Sequence, residues 1–326
     1  ESREVPLHDS FDGVIAYNTY ALNTAVYDRY VGSIAFRPEL DEAWLPVVAV
    51  GYGPRIDMSY GYHVQYRDPD FATEPADKIL YDYYIDGDGG ISAFSVGLGQ
   101  EVYPDTYVGL SVDLLRGEYD VSERWVYPID SDEEDTDAFA QYNDVSGTQF
   151  SLGVLYEGFH RVDLAAVYRA PFTLEGDYRV RGAGGERSES GNFDYKYPGT
   201  LGFGVEYHPR NELMTKVSCD VEFTQWSDFE DDLLGEDPGL DDTVTWKLGV
   251  EHAFFDDTLA RFGFTYRPSY IEDNSTTAAF SVGLGLDVLG VRVDVGGQVG
   301  LRDYNIDEGR VRETTTLAMA TLTRTF

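Results

Sequence analysis

Between Val291 and Arg302 the chain sorts its side chains by parity: Val291, Val293, Val295, Val299 and Leu301 fall on one face, Arg292, Asp294, Gln298 and Arg302 on the other. Period two belongs to a two-faced β-strand. The end of the chain, 316–326, alternates in the same way and stops on an aromatic residue. In a soluble sandwich the apolar face of such a strand packs on a core, whereas in a membrane barrel it meets lipid and the charged face lines a wet lumen.

Composition chooses between the two. A helix needs roughly 20 consecutive apolar residues to cross a bilayer, and the longest apolar run, 43–50, is far shorter. A barrel strand crosses with about ten alternating residues, so a barrel is hydrophilic on average. Abundant Tyr suits the interfacial girdles. A formal net charge of -35 repels phosphates and excludes nucleic acid as a partner. Much of the acid sits in 130–137 and 230–242, as a solvated acidic surface. Cys219 is the one cysteine, which excludes an internal disulfide and any cysteine-cluster metal site.

Short and long connections alternate along the chain, as the periplasmic turns and extracellular loops of outer-membrane barrels do. Tracing strands backward from Phe326 predicts an all-β, transmembrane antiparallel β-barrel of about fourteen strands, with both termini periplasmic. Its first strand begins near Phe11, and 1–10 is a short periplasmic segment. One barrel then fills 11–326, with long extracellular loops near 54–89, 119–146, 181–196 and 227–241. The stretch 162–180 reads as one tall strand, with a break near Pro171 as the alternative. Lipid-facing rows include Phe94, Val96 and Leu98; Leu110, Val112 and Leu114; Phe280, Val282 and Leu284. The opposite rows predict lumen-lining Asp113, Arg169, Glu206, Lys216, Asp220, Glu222, Lys247, Glu251, Arg261, Asp294 and Arg302. Basic groups on the lipid side would cost about 2–4 kcal/mol each near the midplane.

No catalytic constellation is visible. The five histidines are scattered without the spacing of a nucleophile triad or a zinc site. Asp86-Gly87-Asp88-Gly89-Gly90 opens like a calcium loop but lacks the closing acidic ligand. The expectation is a protein without enzymatic activity, cofactor or metal. The 54–89 loop differs from a solvated loop: Tyr60, Tyr62, Tyr66, Phe71, Tyr81, Tyr83 and Tyr84 give it an apolar surface. Tyr81, Tyr83 and Tyr84 are therefore candidate binding residues for a hydrophobic ligand, with plain loop packing as the alternative.

Several stretches, in order, resemble the outer-membrane transporters for long-chain fatty acids and aromatic hydrocarbons, the FadL-like proteins. The most specific is Tyr197-Pro198-Gly199-Thr200-Leu201-Gly202-Phe203-Gly204-Val205-Glu206-Tyr207, followed by Asp220-Val221-Glu222-Phe223-Thr224-Gln225-Trp226-Ser227-Asp228-Phe229. Tyr168-Arg169-Ala170-Pro171 with Leu174-Glu175-Gly176, and the hairpin from Trp246 to Pro268, are similar to further family segments. The resemblance implies a fourteen-stranded monomer in the bacterial outer membrane, contacting lipid and passively taking up hydrophobic small molecules. It also implies an N-terminal hatch, for which 1–10 is too short. The alternative function is a scaffold barrel docking a secretion machine or surface protein complex, with a protein partner.

Overall fold

A computed structural model describes the chain except residues 1, 9–13, 24, 38–45, 68–78, 130, 186–187, 211–213, 234–237, 255–257, 272–274, 307–308 and 326, with backbone alone at 2–8, 14–22, 67, 185, 305–306 and 309. Phe11, the turn at 38–45, Phe71 and Phe326 thus lie outside the described residues.

Nineteen strands follow in chain order. They begin β1 (Ser2–His8), β2 (Val14–Leu22), β3 (Gly32–Phe36), β4 (Val47–Asp57), β5 (Tyr60–Arg67), β6 (Ile79–Tyr103) and β7 (Thr106–Val126). Then come β8 (Thr136–Phe159), β9 (Val162–Arg169), β10 (Phe172–Arg181), β11 (Glu189–Tyr197), β12 (Thr200–Tyr207) and β13 (Lys216–Thr224). The last are β14 (Glu230–Asp231), β15 (Thr243–Phe254), β16 (Thr258–Pro268), β17 (Thr276–Val288), β18 (Val291–Ile306) and β19 (Gly309–Arg324).

Every pairing is antiparallel. The ladder runs from β2 through β1 to β19, back along β18, β17, β16, β15, β13, β12 and β9, and on through β8, β7, β6 and β4 to β3. β2 also lies near β5, where the His63 N–H donates to Asn23 Oδ1 at 2.8 Å. Tight turns gather at one end, where Asp105, Arg161 and Leu289 adopt positive φ, the left-handed geometry that short hairpins demand.

About fourteen strands are expected from the sequence and nineteen are seen. Most of the difference is interruption, not reversal. β4 and β5 are successive parts of one run along β6, and β9 and β10 of one along β8. β12 and β11, and β13 and β14, are split at the same height. At Ala170–Pro171 the cause is proline, which has no N–H to give the ladder. The freed Ala170 carbonyl accepts instead from Gln149 Nε2 at 3.1 Å, and buried Gln149 is held by Arg55 Nη2 at 2.6 Å. The remaining strand is β1, which pairs with both β2 and β19 where a free segment is expected at 1–10. So short an alternation is fixed by its partners, not by its own pattern.

The expected long connections are mostly strand. The 119–146 stretch is β7 as far as Val126 and β8 from Thr136, and 54–89 is largely β4, β5 and β6. β11 begins at Glu189 inside 181–196, and 227–241 contains β14. These upper segments carry polar residues on one face, which hides their alternation from a reading keyed to the apolar belt. Asp86–Gly90 is likewise inside β6, not a loop.

Neighbouring strands bend along one line. β4 slips register between Pro54 and Ile56, Gly89 and Gly90 of β6 have positive φ, β7 slips between Gly117 and Tyr119, and β10 between Glu175 and Asp177. Bulges add local twist and bend, and aligned bulges crease the sheet. Ile91, Leu115, Val145, Leu174 and Phe193 fill the crease as a buried core. Gly117 permits it, because a Cβ there would sit 2.1 Å from the Gly90 carbonyl oxygen. Gly117→Ala is expected to cost about 1–3 kcal/mol by forcing backbone apart. A urea titration of the bilayer-folded protein checks this, and an unchanged midpoint would refute the close approach.

Candidate functional site: an aromatic face above an ion-paired wall

On strand after strand the apolar row is the exposed one, as at Phe94, Val96 and Leu98, Leu110 and Leu114, and Phe280, Val282 and Leu284. The opposite row carries the charges. Register places them in cross-strand reach: Arg169 Nη1 donates to Glu222 Oε2 at 3.1 Å, and Lys247 Nζ to the same oxygen at 3.3 Å. Arg261 bridges Glu251 at 2.7 Å and Asp294 at 2.5 Å. Lys216 lies 3.4 Å from Glu206, and Arg302 3.4 Å from Glu313. Asp220 is opposite Gly204 and Lys247, and Asp113 opposite Ser95 and Gln149. Nine of the eleven sequence-predicted charged residues thus enter ion-paired groups, two of them triads, whereas Asp113 and Asp220 are placed by register without an ion pair among the described residues. These side chains are only partly covered, so each pair contributes at most about 1 kcal/mol.

Asp163, Glu206 and His208 offer donor atoms within 4.8 Å of one another, the one such group among the described residues. His208 Nε2 is 2.8 Å from Asp163 and 3.2 Å from Glu206, and Lys216 also faces Glu206, so the three groups already have partners within the wall.

Above the crease the same face becomes aromatic. Tyr66 packs on Tyr81 at 4.8 Å between ring centroids, Tyr81 on Tyr127 at 5.7 Å, and Tyr83 on Trp125 at 5.3 Å. The Tyr83 hydroxyl donates to Glu123 Oε2 at 3.0 Å. Burial, then the Glu123 carboxylate, pushes the Tyr83 hydroxyl up to about 12. A second ring cluster adjoins through Tyr119, stacked on Tyr142 at 4.4 Å, and continues through Phe193 and Tyr195. Burial also raises the pKa values of Tyr119 and Tyr195. Tyr84 is elsewhere. It stacks on His63 at 4.2 Å on the other side of the hairpin, one residue out of phase with Tyr83.

No family model and no curated protein matches the chain. Solved structures do. The Pseudomonas putida toluene transporter TodX superposes with a TM-score of 0.61 at 15% identity, over 92% of this chain and 83% of that one. The CymD monoaromatic hydrocarbon channel gives 0.58 at 13% identity, over 92% and 83%. A Pseudomonas aeruginosa FadL homologue gives 0.57 at 13% identity, over 90% and 76%. The chain has the fold of these channels.

Within this TodX-like fold the structure unites Tyr81 and Tyr83 but separates Tyr84 from them. Trp125, Tyr127 and Glu123 join Tyr83 through the β6–β7 register, which the sequence alone does not give. A groove of about 450 Å³ lies on the exposed apolar face instead, lined by Leu98, Leu110, Phe150, Leu152 and Tyr168. It shares no residue with the aromatic face.

Proposed function

We propose that the chain is a bacterial outer-membrane channel for passive uptake of hydrophobic small molecules, with the end of β19 and the tight turns in the periplasm; the periplasmic N-terminus expected from the sequence is not kept, because β1 pairs with Arg310, Val311 and Arg312 at the other end of β19. The carrying observation is the aromatic face of β5, β6 and β7 above an ion-paired wall, in a fold shared with hydrocarbon channels. Solutes leaving water for that face gain roughly 25 cal/mol per Å² of apolar surface buried. In this reading the rows bearing Asp113, Arg169, Glu206, Lys216, Asp220, Glu222, Lys247, Glu251, Arg261, Asp294 and Arg302 line the lumen. Opposite charges there neutralise one another within the wall, and below Asp113 the strands β6, β7 and β8 offer an uncharged lane at Gly97, Gly109, Ser111 and Gly153. The apolar rows contact lipid.

Tyr81 and Tyr83 act in capture, whereas Tyr84 serves the hairpin's other side. Replacing Tyr81 and Tyr83 together by Ser is expected to lower alkylbenzene accumulation several-fold in cells that depend on this protein for uptake. Tyr84→Ser should leave uptake near wild type. Equal effects of the two variants at equal surface abundance would remove the capture role.

A further inference from the structure

The aromatic face above the crease holds a carboxylate that no base among the described side chains matches. Glu123 has Ile85 and Ala138 as its cross-strand neighbours, and Tyr83 is its hydrogen-bond partner among the described residues. The described bases nearby in register point the other way. Arg124 is opposite Tyr84 and Asp137, and Arg181 pairs with Asp137 on that same outer side. Arg179 is opposite Gln141, out of phase with Tyr178 and Val180, which share Glu123's side. This differs from the wall below, where Arg169, Lys247 and Arg261 all sit against acids.

Ring faces are negative and attract cations, most strongly when water is excluded, and weakly hydrated quaternary ammonium groups exploit this best. A carboxylate amid those rings supplies the counter-charge. The acidic chain, with formal net charge -35, also draws cations towards itself and repels anions. We propose that the Tyr81, Tyr83 and Trp125 face binds hydrophobic organic cations, a quaternary ammonium group carrying an aromatic or alkyl substituent, with Glu123 as the charged contact. Tyr83 is a positioning residue: its hydroxyl, kept protonated by burial and by Glu123, holds the carboxylate in place. The inference rests on the capture face of the uptake reading and narrows its ligand from hydrophobic to hydrophobic and positive.

Phenyltrimethylammonium and its neutral isostere tert-butylbenzene separate the two readings. Titration calorimetry of the full chain in a non-ionic detergent is expected to show phenyltrimethylammonium binding that weakens about tenfold in Glu123→Gln, the size of one cation–π or charge contact. Glu123→Asp should restore most of it. Asp120→Asn, which removes a negative charge from the outer side of the same strand, should leave it unchanged. Cellular uptake of tert-butylbenzene should be the same in wild type and Glu123→Gln. Phenyltrimethylammonium affinity that is absent, or equal in wild type, Glu123→Gln and Asp120→Asn, overturns cation binding. If tert-butylbenzene uptake persists in that case the hydrophobic reading stands, and if it too is absent both fall.

Discussion

Leu115→Ala is expected to destabilise the bilayer-folded protein by about 2–5 kcal/mol, the range for emptying a fully enclosed leucine site. Leu115 is 0% exposed, packed with Ile91, Val145, Leu174 and Phe193 in the crease. Its neighbour Leu114 is 44% exposed on the opposite face. Leu114→Ala trims an exposed side chain and leaves no enclosed cavity, so it should cost much less. Two adjacent residues of one type, differing in parity alone, make a stringent comparison in a urea titration. Similar losses from both substitutions would mean that the crease encloses no core, and the account of aligned bulges folding the sheet onto itself would fail.

That crease was not legible in the sequence, and the reason is physical. Each bulge is a one-residue slip at Pro54–Ile56, Gly117–Tyr119 or Glu175–Asp177, unremarkable alone. They act together because register brings them to one height, and register is a property of the assembled sheet. Gly90 and Gly117 were visible as glycines, but their contact was not. The belt was legible because parity needs no tertiary information: the row Leu98, Leu110, Leu152 and Tyr168 reads as apolar on each strand separately, and pairing then aligns it.

The charged triads stand between these cases. Arg169, Glu222 and Lys247 were assignable to one face by counting in twos, whereas their mutual contact required knowing that β9, β12, β13 and β15 are neighbours. Tyr84 shows the same rule neglected. Grouped with Tyr81 and Tyr83 for its ring, it belongs by parity with His63 and Asp82 on the hairpin's other side. Glu123 carries no signal as one glutamate in an acidic chain; only the assembled sheet sets it among rings, with no described base against it.

Leu110→Arg and Ser111→Arg put the same charge one residue apart on β7. Leu110 is 57% exposed in the apolar row, level with Leu98 and Leu152, whereas Ser111 faces Gly97 and Ser151 on the charged side. If the apolar row meets hydrocarbon, Leu110→Arg should lose about 2–4 kcal/mol of folding stability in bilayers, the cost of a basic group near the midplane. Ser111→Arg meets open space beside glycine, with acids such as Asp113 on the same face, and should cost less than about 1 kcal/mol in a wet interior. The difference should vanish in detergent micelles loose enough to admit water at the belt, since it comes from the solvent and not from packing. Unfolding titrations in bilayers with equal penalties would contradict the lipid-facing assignment. A larger penalty at Ser111 would turn the barrel inside out, placing the apolar row against a core and returning the chain to the class of soluble β-proteins.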